Sequence, residues 1–404
     1  MHKKLWNKDF ILMLQGSAFS VLGDVLYSVA IGYWVYDQTG SSALMGLMSS
    51  ISMFMTMFLS PFTGSIIDKC NRKAIIVGMD VVRGIIMLVI GALAFGEKLS
   101  VGAVLAAAFL ASACSLFFNP AVSTFMLDII PHDDMVRGQS VSSGLSSLIS
   151  LIGKAISGAL VAFLGVPLII VINGISYLIS AFTEMFLTVP KTKQQGETVT
   201  VQRILEDFRI AFREIFQNSF LCLFIPSALI LNLLGAGPMT LMLPFMLEKG
   251  FTVDMYGYAM SAETLASLVA VVLLGIIKLK PRTRYLAMAF GFISTVFLST
   301  GAYLAGSFSA VTALLFLNSF MNMLANSIFN ASLMLALPEE NRGAILGFVS
   351  AFSTGGCALS AVIFGVLGDL FPLYMVFIAG NVLSLLPMLY LCLHKKTRNF
   401  VLTH

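Results

Sequence analysis

Charged residues are what this sequence has least of. Only 11% of its 404 residues are Asp, Glu, Lys or Arg, against about 25% in ordinary soluble domains. With 58% hydrophobic residues as well, the chain cannot cover itself in water, which excludes a soluble globular protein. Cysteine is also sparse. Cys70, Cys114, Cys222, Cys357 and Cys392 show no paired spacing, and four of them lie in apolar runs. Neither a disulfide framework nor a zinc site is expected. No Gly-x-x-x-x-Gly-Lys-Ser/Thr loop and no His-Glu-x-x-His pair occurs, and no polar region is long enough to house a nucleotide. Enzyme activity, an ATP-driven step, a cofactor and a metal are therefore all unexpected.

What is present is a series of apolar runs. They fall roughly at 10–36, 42–64, 74–95, 99–127, 140–164 and 166–189, then at 219–247, 254–278, 285–305, 307–337, 343–367 and 373–393. Each is long enough to cross a bilayer, and together they predict an all-α integral membrane protein with twelve transmembrane helices. Lys3, Lys4 and Lys8 before the first run imitate a signal peptide. That run is too long for a signal core and carries Asp24, so it reads as the first membrane helix.

Charge fixes the expected orientation. With both termini cytoplasmic, alternate connections hold twenty of the 24 Lys and Arg. These are the N-terminus, the first hairpin loop, Arg137, the central segment, Lys278 to Arg284, Arg342 and the C-terminus. The opposite connections hold only Lys98 and Lys249, while Arg83 and Lys154 lie within runs. This asymmetry predicts a multi-pass protein with both termini inside, and the expected location is the cell (plasma) membrane, in a bacterium the cytoplasmic membrane. It also accounts for the net charge of +4 without a nucleic-acid partner; the partner it implies is the lipid bilayer.

Residues 190–218 form the one long polar segment and divide the chain into 1–189 and 219–404, six predicted helices each. Within it, apolar residues from Val201 to Ile215 alternate with charges at helical spacing, which predicts an amphipathic helix on the inner membrane surface. The halves also repeat each other. Asn119 to Pro131 lies over Asn326 to Pro338 without a gap, and each stretch continues to an Arg-Gly pair, Arg137-Gly138 or Arg342-Gly343. Two parallel six-helix repeats are the expected organisation.

The connection between the second and third runs carries Gly64, Asp68, Arg72 and Lys73 in the spacing Gly-x-x-x-Asp-x-x-x-Arg-Lys. It reads as a loop of about ten residues closing an antiparallel helix hairpin. Asp68 stands alone among Lys69, Arg72 and Lys73, placed to cap a helix or pair with an arginine. This spacing resembles the signature loop of the major facilitator superfamily. Further features narrow the resemblance: Leu22-Gly23-Asp24 and Trp34-Val35-Tyr36 in the first run, Asp80-x-x-Arg83, Asn119-Pro120-Ala121, Asn232 with Gly237-Pro238, and Tyr256-Gly257-Tyr258. Together they look like the third drug:proton antiporter family, the macrolide-efflux-type exporters. The resemblance implies a monomeric, proton-coupled secondary transporter that exports lipophilic or amphipathic small molecules by alternating access. Export of an endogenous siderophore or peptide, and translocation of a lipid or lysolipid, stay open beside it.

The main departure lies in the fifth run. Members of the group often carry Gly-Pro-x-x-Gly-Gly there; this chain reads Gly153-Lys154-Ala155-Ile156-Ser157-Gly158. A lysine within a span costs about 2.5–3.5 kcal/mol on insertion scales and needs a partner or water. Glu263 in the eighth run lies at a matching depth, and the resemblance packs those two helices together, so a Lys154–Glu263 ion pair between the halves is expected. Two separately hydrated charges are the alternative.

Asp24 and Glu263 are the candidate proton-coupling residues, as carboxyls deep within spans. A structural, hydrogen-bonded carboxylate is the competing reading of Asp24. Asp80 and Arg83 share one helical face and, with Asp68 and Arg72, are expected to form an inner charge cluster; Asp128 and Glu184, near inner helix ends, read as interfacial. Tyr27, Asn119, Asn232, Asn322 and Asn326 are the candidate cavity residues. Asn318, Asn322, Asn326 and Asn330 recur every four residues along the tenth run, suiting either a hydrated pathway or helix packing.

Overall fold

Short polar side chains set the helix starts. Asn7 accepts a hydrogen bond from the Phe10 amide (2.9 Å), Asn71 from Ala74 (3.3 Å) and Ser100 from Ala103 (3.2 Å), each satisfying an amide that the helix itself leaves open. The computed structural model describes residues 5–131, 134–188, 209, 212–213, 215–216, 221–277, 281–336 and 342–393. Among the described residues every regular element is a helix: α1 (Lys8–Thr39), α2 (Ser42–Lys69), α3 (Arg72–Phe95), α4 (Val101–Ile129), α5 (Met135–Glu184), α6 (Leu221–Thr240), α7 (Met242–Glu248), α8 (Val253–Ile276), α9 (Pro281–Leu304), α10 (Phe308–Ala336), α11 (Arg342–Leu370) and α12 (Leu373–Leu393).

Two breaks turn these helices into membrane crossings. The 50 residues of α5 are interrupted at Gly165, whose φ of 75° and ψ of 159° leave the helix just before Pro167. The positive φ needs glycine, and the break gives two arms, 135–164 and 166–184. In the other case α6 and α7 form one crossing bent by 51°, with Pro238 in α6 and Pro244 in α7. Counted this way the described helices make twelve crossings, the all-helical membrane fold expected from the apolar runs.

The first hairpin differs from expectation. Helix α2 continues to Lys69 and α3 begins at Arg72, so Cys70 and Asn71 are the whole connection. Polar side chains alone do not stop a helix; the turn comes where Asn71 takes extended backbone angles and caps α3. The side chains of Gly64 and Asp68 lie outside the described residues. So does most of the predicted amphipathic segment, although Ile215 is buried in a core with Met288, Phe329 and Ile345.

The chain divides into two units: residues 1–40 with 54–199, and 41–53 with 200–404. In the first, α1 and α3 pack on the second arm of α5 through glycines. A Cβ at Gly23 would lie 2.3 Å from Ser176 Oγ and 2.4 Å from Asn173 Oδ1; one at Gly84 would lie 2.7 Å from Leu178. In lipid, helices gain little from apolar burial against each other, so close backbone approach and interhelical hydrogen bonds hold them. The end that carries the N-terminus is closed by Phe10, Met13, Ile76 and Phe125 in one core. Polar ties reinforce it, with Asn7 Nδ2 donating to the Ile129 carbonyl (2.9 Å) and the Thr188 amide to Asp9 (2.9 Å).

The second unit centres on aromatic rings. Phe245 meets Tyr303 at 5.4 Å and Phe377 at 5.3 Å between centroids, and Tyr303 meets Phe377 at 5.1 Å. Phe364 extends the cluster and lies against Gly237 and Gly380, where an added Cβ would sit 2.3 and 2.6 Å from its ring. The unit also includes the start of α2. Asp369 at the end of α11 accepts from Ser41 Oγ (2.7 Å) and from the Ser42 and Ala43 amides (2.6 and 3.2 Å). A carboxylate there suits the positive end of the helix dipole.

Candidate functional site

The site is built from α3 outward. Three residues apart, Asp80 and Arg83 share a face of α3, and Arg83 Nη2 donates to Asp80 Oδ1. Both are buried, at 0% and 4% exposure. The guanidinium lies between two rings, 4.1 Å from the centroid of Phe118 on α4 and 4.5 Å from that of Tyr177 on α5, so cation–π attraction holds it on both faces. The Tyr177 hydroxyl continues the network by donating to Asp24 Oδ1 on α1. A turn further along α5, Ser180 Oγ donates to Glu184 Oε1 (3.3 Å), and Glu184 is fully buried.

Three acids therefore surround one arginine. The charges acting on Asp24, Asp80 and Glu184 are Arg83 and one another. The donors do not cover the acceptors: Asp80 Oδ2 and Glu184 Oε2 are buried without a hydrogen-bond partner, as are Arg83 Nε and Asn173 Nδ2. Each such atom costs about 1–3 kcal/mol, and more when charged. With every acid ionised the group would carry two uncompensated negative charges, a costly state away from water. The group lies within the first unit, where α1, α3, α4 and α5 meet.

The structure gathers some of the sequence-predicted residues here and disperses others. Tyr27, half-buried one turn along α1, interacts electrostatically with Asp24. Arg72 does not join Asp80 and Arg83: its Nη1 reaches Asp128 Oδ2 at 2.5 Å. Eight residues of α3 place the two pairs about 12 Å apart along the helix, so the expected single inner cluster is two separate pairs. Lys73 Nζ donates to the Leu187 carbonyl at 2.8 Å. Glu184 is the clearest correction. Its place near a helix end read as interfacial, but Gly16 on α1 lets α5 come close enough to bury it; a Cβ there would lie 3.1 Å from Glu184 Oε1.

Lys154 is half-buried on the first arm of α5 in one unit, and Glu263 half-buried on α8 in the other. Glu263 acts electrostatically on Tyr256 and Tyr303. Asn326 Nδ2 donates to the carbonyl (3.0 Å) and side-chain oxygen (2.9 Å) of Asn322, so part of the ladder bonds along its own helix. Asn232 Oδ1 takes a long contact from Cys357 Sγ at 3.9 Å, and Asn119 is exposed on α4. The residues that sequence reasoning missed are Tyr177 and Glu184. Asn173, Tyr177, Ser180 and Glu184 recur every three or four positions, a polar stripe on one helical face in an otherwise apolar run, and that stripe was the available signal.

Comparison with known proteins fits this architecture. A family model described as the Major Facilitator Superfamily matches residues 13–361. Macrolide efflux protein A of Streptococcus pyogenes is 23% identical over 201 residues, 50% of each chain. The putative bacilysin exporter BacE of Bacillus subtilis (strain 168) is 28% identical over 211 residues, 52% of this chain and 51% of the relative. The chain spans about half the length of the curated relatives it matches. Among solved structures, the nucleoside transporter NupG aligns with a TM-score of 0.73 at 14% identity, over 94% of this chain and 97% of that one. A bacterial homologue of the iron transporter ferroportin aligns with a TM-score of 0.68 at 17% identity, also over 94% and 97%. At such identities the likeness to the solved structures is one of fold. The family match over most of the chain shows that it belongs to the major facilitator superfamily.

Proposed function

We propose that this protein is a proton-coupled exporter of lipophilic or amphipathic small molecules, macrolide-like compounds among them, working by alternating access in the bacterial cytoplasmic membrane. The observation that carries the coupling is the excess of acid around Arg83: the fully buried Asp80 and Glu184 and the half-buried Asp24 against one cation, with two unpartnered carboxyl oxygens. A proton taken up there changes the charge inside a helical unit, and such a change shifts the balance between transporter states that differ in how they hold it. Asp24 connects to this group through Tyr177 and is the acid nearest the middle of its span; Glu263 is the second coupling candidate. Direction and substrate class rest on similarity to the macrolide efflux protein. The match to the putative bacilysin exporter favours a second reading, export of a compound made by the cell itself.

Inside-out membrane vesicles with an imposed proton gradient test the proposal against a panel of lipophilic drugs. Wild type should move at least one of them only while the gradient stands, and Asp24→Asn or Glu263→Gln should abolish that dependence. Transport that survives collapse of the gradient rules out antiport. Failure of every lipophilic compound to move rules out the substrate class.

A further inference from the structure

We propose that Asp80 and Glu184 form an acid pair that holds a single shared proton, and that this pair is the proton store of the first unit. Asp80 on α3 is the charge that acts most strongly on Glu184 on α5, so the two carboxyls are electrostatic neighbours across the packed helices. Two ionised carboxylates present only lone pairs, so a bond between them requires a proton on one. Donor supply points the same way. Arg83 reaches Asp80 Oδ1, and the one hydroxyl hydrogen of Ser180 reaches Glu184 Oε1. The oxygens left over are Asp80 Oδ2 and Glu184 Oε2, both buried without a donor. A single proton placed between the carboxyls satisfies both oxygens. It also leaves the pair with one negative charge, which Arg83 balances.

The surroundings make the pair exchangeable. The groups that act on it are Arg83 on its own α3, Asp24 on α1, Cys114 on α4, and Ser180 and Tyr177 on α5, Ser180 acting on both acids and Tyr177 on Asp80. Just beyond Glu184 the chain reaches Leu187 and Thr188, held by Lys73 and Asp9 at the N-terminal end of the unit. Glu184 therefore lies one turn from the exposed Thr188, while both acids of the pair are themselves fully buried. Losing the shared proton sets two carboxylates against one guanidinium, and mutual repulsion then drives Glu184 away from Asp80. That movement would act on the seam between α1 and α5 at Gly16, where Ser180 and Glu184 pack within contact of the glycine.

The role of the pair in transport rests on the proton-coupled reading above; the shared proton itself does not. Infrared titration of the purified full chain in lipid vesicles separates them. Wild type should show a protonated-carboxyl C=O band at neutral pH that disappears as the pH is raised. Glu184→Gln and Asp80→Asn should each remove it, and Asp24→Asn should leave it in place. Gly16→Ala keeps both acids and should shift the frequency of the band, which serves if an acid variant does not fold. No such band in wild type, or a band unchanged in Glu184→Gln, Asp80→Asn and Gly16→Ala, overturns the pair. Gradient-driven efflux in the same vesicles supplies the second reading. If efflux proves independent of the gradient while the band behaves as stated, the pair stands and coupling falls. If efflux is gradient-driven and unaltered in Glu184→Gln and Asp80→Asn, the pair is not the proton store.

Discussion

In the first unit, the described charged side chains that are fully buried, Asp80, Arg83 and Glu184, gather where α1, α3, α4 and α5 meet. In the second, the buried centre is Phe245, Tyr303, Phe364 and Phe377, and its buried polar groups are neutral hydroxyls such as Ser299 and Ser360. Both units must hold helices together where lipid offers no hydrophobic drive, but by different means. One spends close glycine packing on bringing carboxyls to an arginine. The other spends it on seating a phenylalanine against Gly237 and Gly380. The two buried centres differ in kind: the first unit's is charged, whereas in the second the coupling candidate Glu263 is half-buried and acts on the aromatic centre at Tyr303.

The strongest way to break this comparison is Arg83→Gln. Removing one partner of a buried charge group leaves the rest uncompensated and should cost about 3–5 kcal/mol, read as a fall in thermal stability in detergent. The loss should shrink on acidification, because protonating Asp24, Asp80 and Glu184 removes the charge that Arg83 balanced. Adding Asp80→Asn should recover part of it. A pH-independent loss would mean that the arginine acts through packing on Phe118 and Tyr177 alone.

Phe364→Ala is the counterpart in the second unit. Truncating a core phenylalanine costs about 3–5 kcal/mol in water-soluble proteins. In lipid the transfer part is largely absent, so about 2–3 kcal/mol is expected here. This loss should be the same at acid and neutral pH. A pH-dependent loss would bring charge into the second unit and end the contrast.

How far these two interiors could be read from the sequence differs in an instructive way. Apolar length alone located the helices, because a bilayer imposes it, and the spacing of Asp80 and Arg83 placed both on one face of α3. The hairpin after α2 is shorter than its polar sequence suggests because Lys69 and its polar neighbours continue a helix as readily as they leave it. Position along the chain makes Glu184 look interfacial; a glycine on another helix, Gly16, decides its burial. The partner of Arg72 lies on a different helix, at Asp128, and nothing in either residue's local sequence names the other. Aromatic packing left no mark at all, since 33 phenylalanines offer far more candidates than one cluster needs.

Smaller effects sharpen the comparison. Asn381 Nδ2 donates to Ser299 Oγ (2.7 Å) and Thr300 Oγ1 (3.3 Å), tying α12 to α9. Interhelical hydrogen bonds in membranes average about 0.6 kcal/mol and reach about 1.7, so Asn381→Ala should cost about 1 kcal/mol without pH dependence. An effect several times larger, measured as a shift in unfolding midpoint, would mean that the second unit depends on polar contacts more than on its rings.

The finest test lies within the first unit, between two of its ion pairs. Arg83 and Asp80 have side chains 5% and 0% exposed, whereas Arg72 and Asp128 have 23% and 15%. Both pairs join a guanidinium to a carboxylate, so burial and company are what separate them. Arg72 and Asp128 retain contact with solvent, gain less from pairing and are screened by salt. A double-mutant cycle with Arg72→Gln and Asp128→Asn should give a coupling of about 0.5 kcal/mol or less that fades as ionic strength rises. The same cycle on Arg83 and Asp80 should give a larger coupling that salt does not touch but pH does. If the two cycles agree in size and salt response, the buried group behaves as an ordinary solvated pair, and an excess of buried acid no longer explains how this unit would hold a proton.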